Sequence, residues 1–263
     1  MTPESELEDA VVAIREEYER RGRAPQIAGQ YSFLNPAHAR LVFERERAIL
    51  GALRRQLELP IEQAEILDVG ASSGVSLAFL AAYEADPERL HGVDIDEARI
   101  AEGRRRFPAF DFRTTSGHGL DFPDDMFDVV QQITMLSSVH SDELRRRIAA
   151  EMVRVARPGG LIISFDVCQV PLAARLLSRA TSFRKRRARP TTHGGDEVRL
   201  TPVHVLPVAE LRELFAGLEH LEARPCCTYR PLVERFGGSE LLSGILSRPS
   251  FAAALVYVGR KPR

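Results

Sequence analysis

Short apolar runs alternate along the chain with stretches in which apolar residues recur every three or four positions. The runs are rich in Val, Ile, Leu and Phe, which is typical of strands buried on both faces of a parallel sheet. The periodic stretches predict amphipathic helices. The predicted central strands are 66–69, 89–93, 110–114, 127–131 and 161–165. Because strands and helices alternate with short connections, the pattern predicts an α/β fold with a doubly wound, mostly parallel sheet.

Helices are predicted on both sides of this central region. One begins at Thr2-Pro3, and a second begins at Pro36 and ends near Leu57, with the charged cluster 44–47 as its solvated face. A further helix at 208–215 precedes the predicted strands 221–223 and 251–258, and 239–246 is another helix candidate. The predicted parts are an N-terminal helical cover (1–60), a core (61–169), a lid insertion (170–207) and the C-terminal part of the same sheet (208–263).

A glycine turn follows the first predicted strand and opens a helix. Gly70 and Gly74 are separated by Ala71-Ser72-Ser73. Such a turn lets backbone N–H groups approach a ligand closely. The spacing fits neither the dinucleotide fingerprint G-x-G-x-x-G nor the phosphate-binding loop G-x-x-x-x-G-K-S/T. Asp68, two residues before the first glycine, would repel a pyrophosphate but suits an ammonium group.

The stretch Leu67 to Gly74 closely resembles motif I of the class I S-adenosylmethionine-dependent methyltransferases, which more often have Cys-Gly where Ala71-Ser72 stand. The segments 91–96, 120–130 and 151–160 resemble further motifs of that family in the same order, and 133–140 does so loosely. The stretch Tyr31 to His38 is similar to that of bacterial small-molecule members. The resemblance implies a seven-stranded Rossmann-like methyltransferase fold with a final antiparallel strand. It also implies S-adenosyl-L-methionine as the cofactor of the core.

Two acids are the main candidates for holding that cofactor. Asp94 ends the second strand 26 residues after Asp68, which suits an acceptor for the ribose hydroxyls. A loop acid or a helix cap is the alternative, and Asp96 is the better candidate for the cap. Asp68 is expected to hold the turn, or a water near the ammonium group, unless its role is purely structural.

The adenine and methionine contacts follow less directly. The family often has an acid after the third strand that binds the amino group of adenine, whereas this chain has Thr115-Ser116-Gly117-His118 there. Ser116 matches the position of the acid, and His118 is close enough to take its role. Ile95 is expected to stack on the adenine. Gln131 and Gln132 are expected to line the crevice for the methionine portion, or one of them caps the strand. The predicted cofactor-binding residues are Tyr31, Asp68, Gly70, Ala71, Gly74, Asp94, Ile95, Ser116, Gly117, His118, Gln131 and Gln132.

Methyl transfer requires mainly that the acceptor be placed in line and that water be excluded. An oxygen acceptor also needs a general base, and histidine suits that role near neutral pH. His118, His140, His193 and His204 all follow strands or lie in the lid. His140 is preferred because it follows the crevice of the fourth strand, with His204 second; a surface role is the alternative for each.

The composition narrows the possible partners. The 263 residues carry a net charge of −1, so no global field attracts nucleic acid or a membrane. There is no apolar run of bilayer length and no signal-peptide pattern at the acidic N-terminus, so we expect a soluble, cytoplasmic protein. The three cysteines include no C-x-x-C pair, so no metal is expected. The basic run Arg184 to Arg189 either recognises an anionic or carrier-bound acceptor or is a solvated loop.

The favoured function is therefore a biosynthetic methyltransferase that acts on a small molecule. A nicotinamide oxidoreductase lacks support because the third glycine is missing. A non-catalytic S-adenosylmethionine-binding module and an RNA methyltransferase remain as alternatives. A DNA target is not expected, because Gln131 to Thr134 differs from the Asn/Asp-Pro-Pro-aromatic motif of amino-group methylating members. The acceptor, the atom that is methylated and the oligomeric state stay open.

Overall fold

The computed structural model of the protein describes residues 3–22, 32–168, 204–228 and 252–263. Within these ranges the strands are β1 (Ile66–Val69), β2 (Leu90–Asp94), β3 (Asp111–Thr114), β4 (Phe127–Ile133), β5 (Ala156–Val167), β6 (Glu219–Thr228) and β7 (Ala252–Arg260). The α-helices are α1 (Pro3–Gly22), α2 (Pro36–Gln56), α3 (Val75–Ala82), α4 (Glu97–Arg106), α5 (Asp142–Val155) and α6 (Val208–Leu214). Short 3-10 turns occupy Ile61–Gln63, Pro87–Arg89 and Leu136–Ser138.

The seven strands form one sheet in the order β3-β2-β1-β4-β5-β7-β6. Strands β1 to β5 are parallel to one another, and β7 is antiparallel to both β5 and β6. This confirms the predicted doubly wound, mostly parallel sheet and its final antiparallel strand. The chain runs outward from β1 to β3 and then returns to the other side of β1. The strand order therefore reverses between β1 and β4, and open α/β sheets bind ligands beyond the carboxyl ends of the strands at such a point.

Helices cover both faces of the sheet and bury two separate apolar clusters. Leu67 and Val69 of β1 belong to the cluster that includes Leu7 of α1 and Ile148 of α5. Ile66 belongs to the opposite cluster, with apolar residues of α2, α3 and α4. Successive side chains of a strand point to opposite faces, so each buried strand contributes to both clusters.

Several strands are longer than the sequence pattern predicts. Strand β4 extends to Ile133 and β6 covers ten residues. The stretch 157–160, which precedes the predicted strand 161–165, lies inside β5 beside an irregularity in its pairing with β4. Only glycine fits at position 160, because a Cβ atom there would stand 2.9 Å from the carbonyl oxygen of Phe127. The apolar pattern therefore predicted β5 correctly but placed its beginning after the glycines, whereas the strand begins before them.

Helix α2 packs directly against the sheet and contacts β6. The Cys227 thiol of β6 donates to the carbonyl oxygen of Leu41 at 3.5 Å, and Arg55 forms an ion pair with Glu222 of β6 at 2.9 Å. The predicted solvated face 44–47 is wrong for Arg45, whose side chain is only 14% exposed. The run of charges gave no signal of this burial, because it depends on which side of the helix meets the sheet.

Candidate functional site

The glycine turn between β1 and α3 adopts the tight conformation that its sequence predicts. Gly70 and Gly74 have φ angles of +85° and +82°, in the left-handed region that favours glycine. The N–H groups of Gly70 and Ala71 both donate to the carbonyl oxygen of Val93, at 2.8 and 2.9 Å. A Cβ atom on Gly74 would stand 2.4 Å from the ring of Phe112. The turn is thus held against the end of β2 and brings the ends of the two strands together.

Asp94 at the end of β2 faces this turn. One carboxylate oxygen accepts the N–H of Ser72 at 2.8 Å, and the other accepts the N–H of Asp96 at 2.9 Å. Burial raises the pKa of Asp94 above its ordinary value, and these two backbone hydrogen bonds oppose that rise. Each carboxylate oxygen has two lone pairs, so the group keeps acceptor capacity for two hydroxyls. This arrangement fits the predicted ribose contact.

Asp96 itself has the other role expected of it. Its side chain accepts the N–H groups of Ala98 and Arg99, at 3.0 and 3.2 Å, at the start of α4. This confirms the prediction that Asp96, and not Asp94, caps the helix.

Asp68 and Gln131 form a polar pair under the turn. They are register partners on the adjacent strands β1 and β4, and both are almost completely buried. Asp68 Oδ2 accepts the hydroxyl of Ser76. Burial raises the pKa of Asp68 to about 6, while Ser76, Arg45 and Gln131 favour the ionised form. Within the described residues, Asp68 Oδ1 and both amide atoms of Gln131 have no hydrogen-bond partner. Buried polar atoms are rarely left unpaired, so these atoms fit a polar ligand at the strand ends.

Gln132 lies on the opposite face of the sheet, because side chains alternate along β4. Its amide nitrogen donates to Ser164 at 2.6 Å and to Asp166 at 2.7 Å. Its amide oxygen accepts the N–H groups of Met135 and Leu136, at 2.9 and 3.1 Å. The two glutamines predicted to line one crevice are thus separated, and the amide of Gln132 fixes the loop after β4. That loop places Met135 against Gly70, where a Cβ atom would stand 2.7 Å from the Met135 side chain.

The loop after β3 approaches the same edge. The N–H of Thr115 donates to the carbonyl oxygen of Asp94 at 2.9 Å. Gly117 has a φ angle of +82°, and a Cβ atom there would stand 3.7 Å from Val69 at the end of β1. His118 Nδ1 is buried and has no hydrogen-bond partner among the described residues. Ser116 and Ile95 are both half-buried beside these groups. The adenine contacts of Ser116, His118 and Ile95 stay predictions.

The two histidines predicted as bases have different surroundings. His140 is exposed. His204 donates its backbone N–H to Ser137 at 2.8 Å, which holds it against the loop after β4. Its Nε2 lies 3.0 Å from Glu210 Oε1 and 3.1 Å from Oε2. The buried Arg145 reaches the same carboxylate at 3.4 Å. A histidine paired in this way keeps Nδ1 as its basic nitrogen.

Some predicted residues lie outside the described ranges: Tyr31, His193, the basic run 184–189, the helix candidate 239–246 and the lid apart from 204–207. The sequence predicted no role in the site for Arg45, which influences the pKa of Asp68, or for Glu210, which pairs with His204. Neither belongs to a motif that the sequence offered. The sequence hint for Glu210 is its position six residues after His204.

A cavity of about 130 Å³ lies elsewhere, lined by residues that include Asp128, Arg157 and Arg263. It is at the amino ends of β4 and β5, the edge opposite the glycine turn, so we do not assign it to this site. Within the described part of the chain, no group of three or more His, Cys, Asp or Glu side chains is placed to hold a metal ion. Of the described helices, none combines the length and apolar character that crossing a membrane requires.

Comparisons with known proteins agree with this geometry. Residues 66–160 match the family model described as a methyltransferase domain. The chain is 31% identical over 118 residues to phosphatidylethanolamine N-methyltransferase of Cereibacter sphaeroides, which covers 41% of this chain and 55% of that protein. It is 30% identical over 109 residues to phthiotriol/phenolphthiotriol dimycocerosates methyltransferase of Mycobacterium tuberculosis, covering 41% of this chain and 39% of that protein. It is 26% identical over 154 residues to demethylmenaquinone methyltransferase of Bacteroides fragilis, covering 55% of this chain and 61% of that protein. The chain thus spans about half the length of these curated relatives.

Solved structures share the fold over more of the chain. A possible histamine N-methyltransferase from Thermotoga maritima, 17% identical, covers 93% of this chain and 99% of its own, with a TM-score of 0.58. A methyltransferase from Methanosarcina mazei, 20% identical, covers 80% of this chain and 97% of its own, with a TM-score of 0.55. Residues 66–160 thus match a methyltransferase domain, and the findings support the resemblance of the chain to the class I S-adenosylmethionine-dependent methyltransferases. This resemblance implies S-adenosyl-L-methionine as the cofactor.

Proposed function

We propose that the protein transfers a methyl group from S-adenosylmethionine to a small-molecule acceptor. The observation that carries this function is the convergence of unpaired polar atoms around the glycine turn. Asp68 Oδ1 and the Gln131 amide are unpaired and belong to residues near the carboxyl ends of β1 and β4, where the strand order reverses. Asp94 adds a carboxylate with acceptor capacity from the end of β2. An ammonium group and a ribose diol complement this set of acceptors.

The bound cofactor supplies a methyl group that its sulfonium already activates. The protein then has to bind the cofactor and the acceptor, orient them relative to one another and keep water out of the site. In this proposal Asp94 accepts the ribose hydroxyls, and Asp68 with Gln131 accepts the ammonium group. Ser116 or His118 meets the adenine edge, and Ile95 meets its face. The Gly70 turn and Met135 bound the space in which the methionine portion lies.

His204 is the better of the two histidines for a proton-accepting role. Glu210 orients its ring through Nε2, at 3.0 and 3.1 Å, as the third group of a catalytic arrangement orients a general base. The exposed His140 has no comparable carboxylate partner among the described residues. The structure thus favours His204, whereas the position along the chain favoured His140.

The acceptor is proposed only as a class. The matched relatives bear the names of enzymes for a phospholipid, a mycobacterial lipid and a quinone precursor. Those names support a small, partly apolar biosynthetic acceptor for this chain. The basic run 184–189 supports an anionic group on it. A cytoplasmic location belongs to the same proposal.

One experiment tests the cofactor and another tests turnover. Isothermal titration should show binding of S-adenosylhomocysteine and no binding of NAD. Binding of NAD in preference would overturn the assignment. Release of S-adenosylhomocysteine should then be measured with panels of phospholipids, phenols and quinols. Turnover is expected with at least one class, and cofactor binding without any turnover would favour the non-catalytic binding module. One neighbour with a TM-score of 0.53 is described as a cyclase, so the fold alone does not replace this measurement.

A further inference from the structure

Three large apolar side chains are exposed together where α2 begins. Phe33, Leu34 and Phe43 are 53%, 93% and 61% exposed. The ring centroids of Phe33 and Phe43 lie 6.5 Å apart, so these side chains form one surface although ten residues separate them. A single exposed apolar residue is ordinary, whereas a contiguous apolar patch marks a surface that contacts another molecule. We call Phe33, Leu34 and Phe43 together the α2 patch.

Positive charge lies on the same side of the helix as the α2 patch. Helix α2 contains five arginines and only two glutamates, although the chain as a whole carries a net charge of −1. Arg47 and Arg54 are both exposed. They follow Phe43 by about one and three helical turns, so the three side chains lie on one stripe of the helix. Helix α2 therefore presents an exposed apolar beginning that continues into a basic stripe.

The α2 patch lies at the edge of the sheet that carries the candidate site. The carbonyl oxygen of Leu41, near the start of α2, accepts the thiol of Cys227. The residue before Cys227 is aligned, through β7, with Val167 at the carboxyl end of β5. At the other end of the helix, Gln56 helps to line the cavity at the amino ends of β4 and β5. Helix α2 thus runs from the carboxyl edge of the sheet to the amino edge, and it begins on the edge of the glycine turn.

We infer that the α2 patch and the basic stripe dock the protein on the surface of an anionic lipid membrane, with the carboxyl edge of the sheet turned towards the lipid. Apolar side chains enter the boundary between head groups and acyl chains, while exposed arginines meet the anionic head groups. The attraction is local and therefore compatible with the small net charge of the chain.

The charge of the stripe favours a lipid surface over a second copy of this chain. A twofold dimer built on the α2 patch would bring the same surface of both copies together, and with it two sets of like charges. An anionic lipid surface instead complements both the apolar and the basic part. Docking requires neither cofactor nor acceptor, so this inference is independent of the proposed function.

The test measures co-sedimentation of the full chain with two kinds of vesicle, one of phosphatidylcholine alone and one of equal parts phosphatidylcholine and phosphatidylglycerol. One variant has serine at all three positions of the α2 patch, and a second combines Arg47→Gln with Arg54→Gln. The control is Tyr83→Ser, which removes an exposed apolar side chain at the end of α3. All substituted side chains are exposed, so the fold should be retained.

The wild type should bind the mixed vesicles at least about 10-fold more tightly than the phosphatidylcholine vesicles, and added salt should reduce this preference. The arginine variant should lose about 10-fold or more on the mixed vesicles, since each basic residue near an anionic surface contributes about 5-fold. The patch variant should bind both kinds of vesicle at least about 10-fold more weakly, because its apolar contribution is lost. Tyr83→Ser should bind as the wild type does.

Three results would overturn the inference. The first is a wild type that does not sediment with the mixed vesicles, and the second is a patch variant that binds them as well as the wild type does. The third is self-association without vesicles, detected by sedimentation velocity and lost in the patch variant, which would assign the α2 patch to a second copy of the chain. None of these results affects the proposed function, because binding of S-adenosylhomocysteine is measured separately.

Discussion

The carboxylate of Asp94 accepts the backbone N–H of Ser72 at 2.8 Å and so joins the end of β2 to the glycine turn. The residue predicted to bind the cofactor's ribose therefore also helps to fix the glycine turn, which is itself predicted to contact the cofactor. Its neighbour Asp96 caps α4 and takes no part in this contact. The two acids, only two residues apart, give a matched pair for mutagenesis.

Replacement of Asp94 by Ala should weaken binding of S-adenosylhomocysteine by about 2–4 kcal/mol, because a partly buried acceptor for two hydroxyls is lost. Asp96→Ala should leave the affinity within about 3-fold and lower the free energy of unfolding by about 1 kcal/mol, the usual effect of losing a cap. Titration calorimetry and urea unfolding of both variants separate the effects. Equal affinities would mean that Asp94 does not hold the ribose.

Replacement of Gly70 by Ala should destabilise the protein for two reasons. The left-handed backbone costs about 1–2 kcal/mol for a residue with a Cβ atom. That atom would also stand 2.7 Å from Met135. Gly117→Ala is the control, since its φ angle is similar but the nearest atom would be 3.6 Å away. Urea unfolding should show a larger loss for Gly70→Ala than for the control. In a Met135→Gly background, which removes both the Cβ and the Cγ of Met135, the loss caused by Gly70→Ala should fall to the level of the control. The same loss at both glycines would exclude the contact with Met135.

His204→Gln should lower kcat by about 10²- to 10⁴-fold if the acceptor must lose a proton, the usual contribution of a general base. Glu210→Gln should lower kcat less, because the imidazole of His204 then loses the carboxylate that orients it. His140→Gln serves as the exposed control and should stay within about twofold. Binding of S-adenosylhomocysteine should be unaffected in all three. A full loss of kcat in His140→Gln, with His204→Gln active, would reverse the assignment.

The buried Asp68 predicts a specific pH dependence of stability. Its pKa in the folded state is raised from the ordinary 3.8 to about 6. The folded state therefore binds more protons than the unfolded state between about pH 4 and 6, and stability from this group falls as the pH rises through that window. Relative to the wild type, Asp68→Asn should gain about 2–3 kcal/mol in unfolding free energy between pH 4 and pH 7. The difference between the two proteins isolates this group from Asp166, whose pKa burial also raises to about 6. A difference independent of pH would show that Asp68 is not the titrating group.

The basic run 184–189 and the lid at 170–207 remain sequence-based predictions. If the run recognises an anionic acceptor, replacing its arginines by glutamine should raise the acceptor's KM, and added salt should raise the KM of the wild type but not of the variant. The KM of the cofactor serves as the internal control and should not change. If the acceptor's KM responds to neither change, the run is a solvated loop.

The sequence by itself determined the features that depend on neighbouring residues. Apolar runs separated by periodic stretches defined the alternating strands and helices. Gly70 and Gly74 defined a tight turn, because both adopt the left-handed backbone conformation that favours glycine. The cap at Asp96 followed from its position just before a helix, because a cap needs only the N–H groups two and three residues ahead. The motif order defined the family, since strands, turns and their spacing are all written along the chain.

The tertiary structure decided what depends on contacts between distant segments. Adjacent in sequence, Gln131 and Gln132 lie on opposite faces, and only the packed sheet shows that one is unpaired while the other supports the loop after β4. The burial of Arg45 depends on which side of α2 meets the sheet, and a run of charges carries no record of that choice. The pairing of His204 with Glu210 depends on where α6 packs against α5 and on the contact of His204 with the loop after β4. Such contacts arise from chain packing over long sequence separations, which local propensity does not encode.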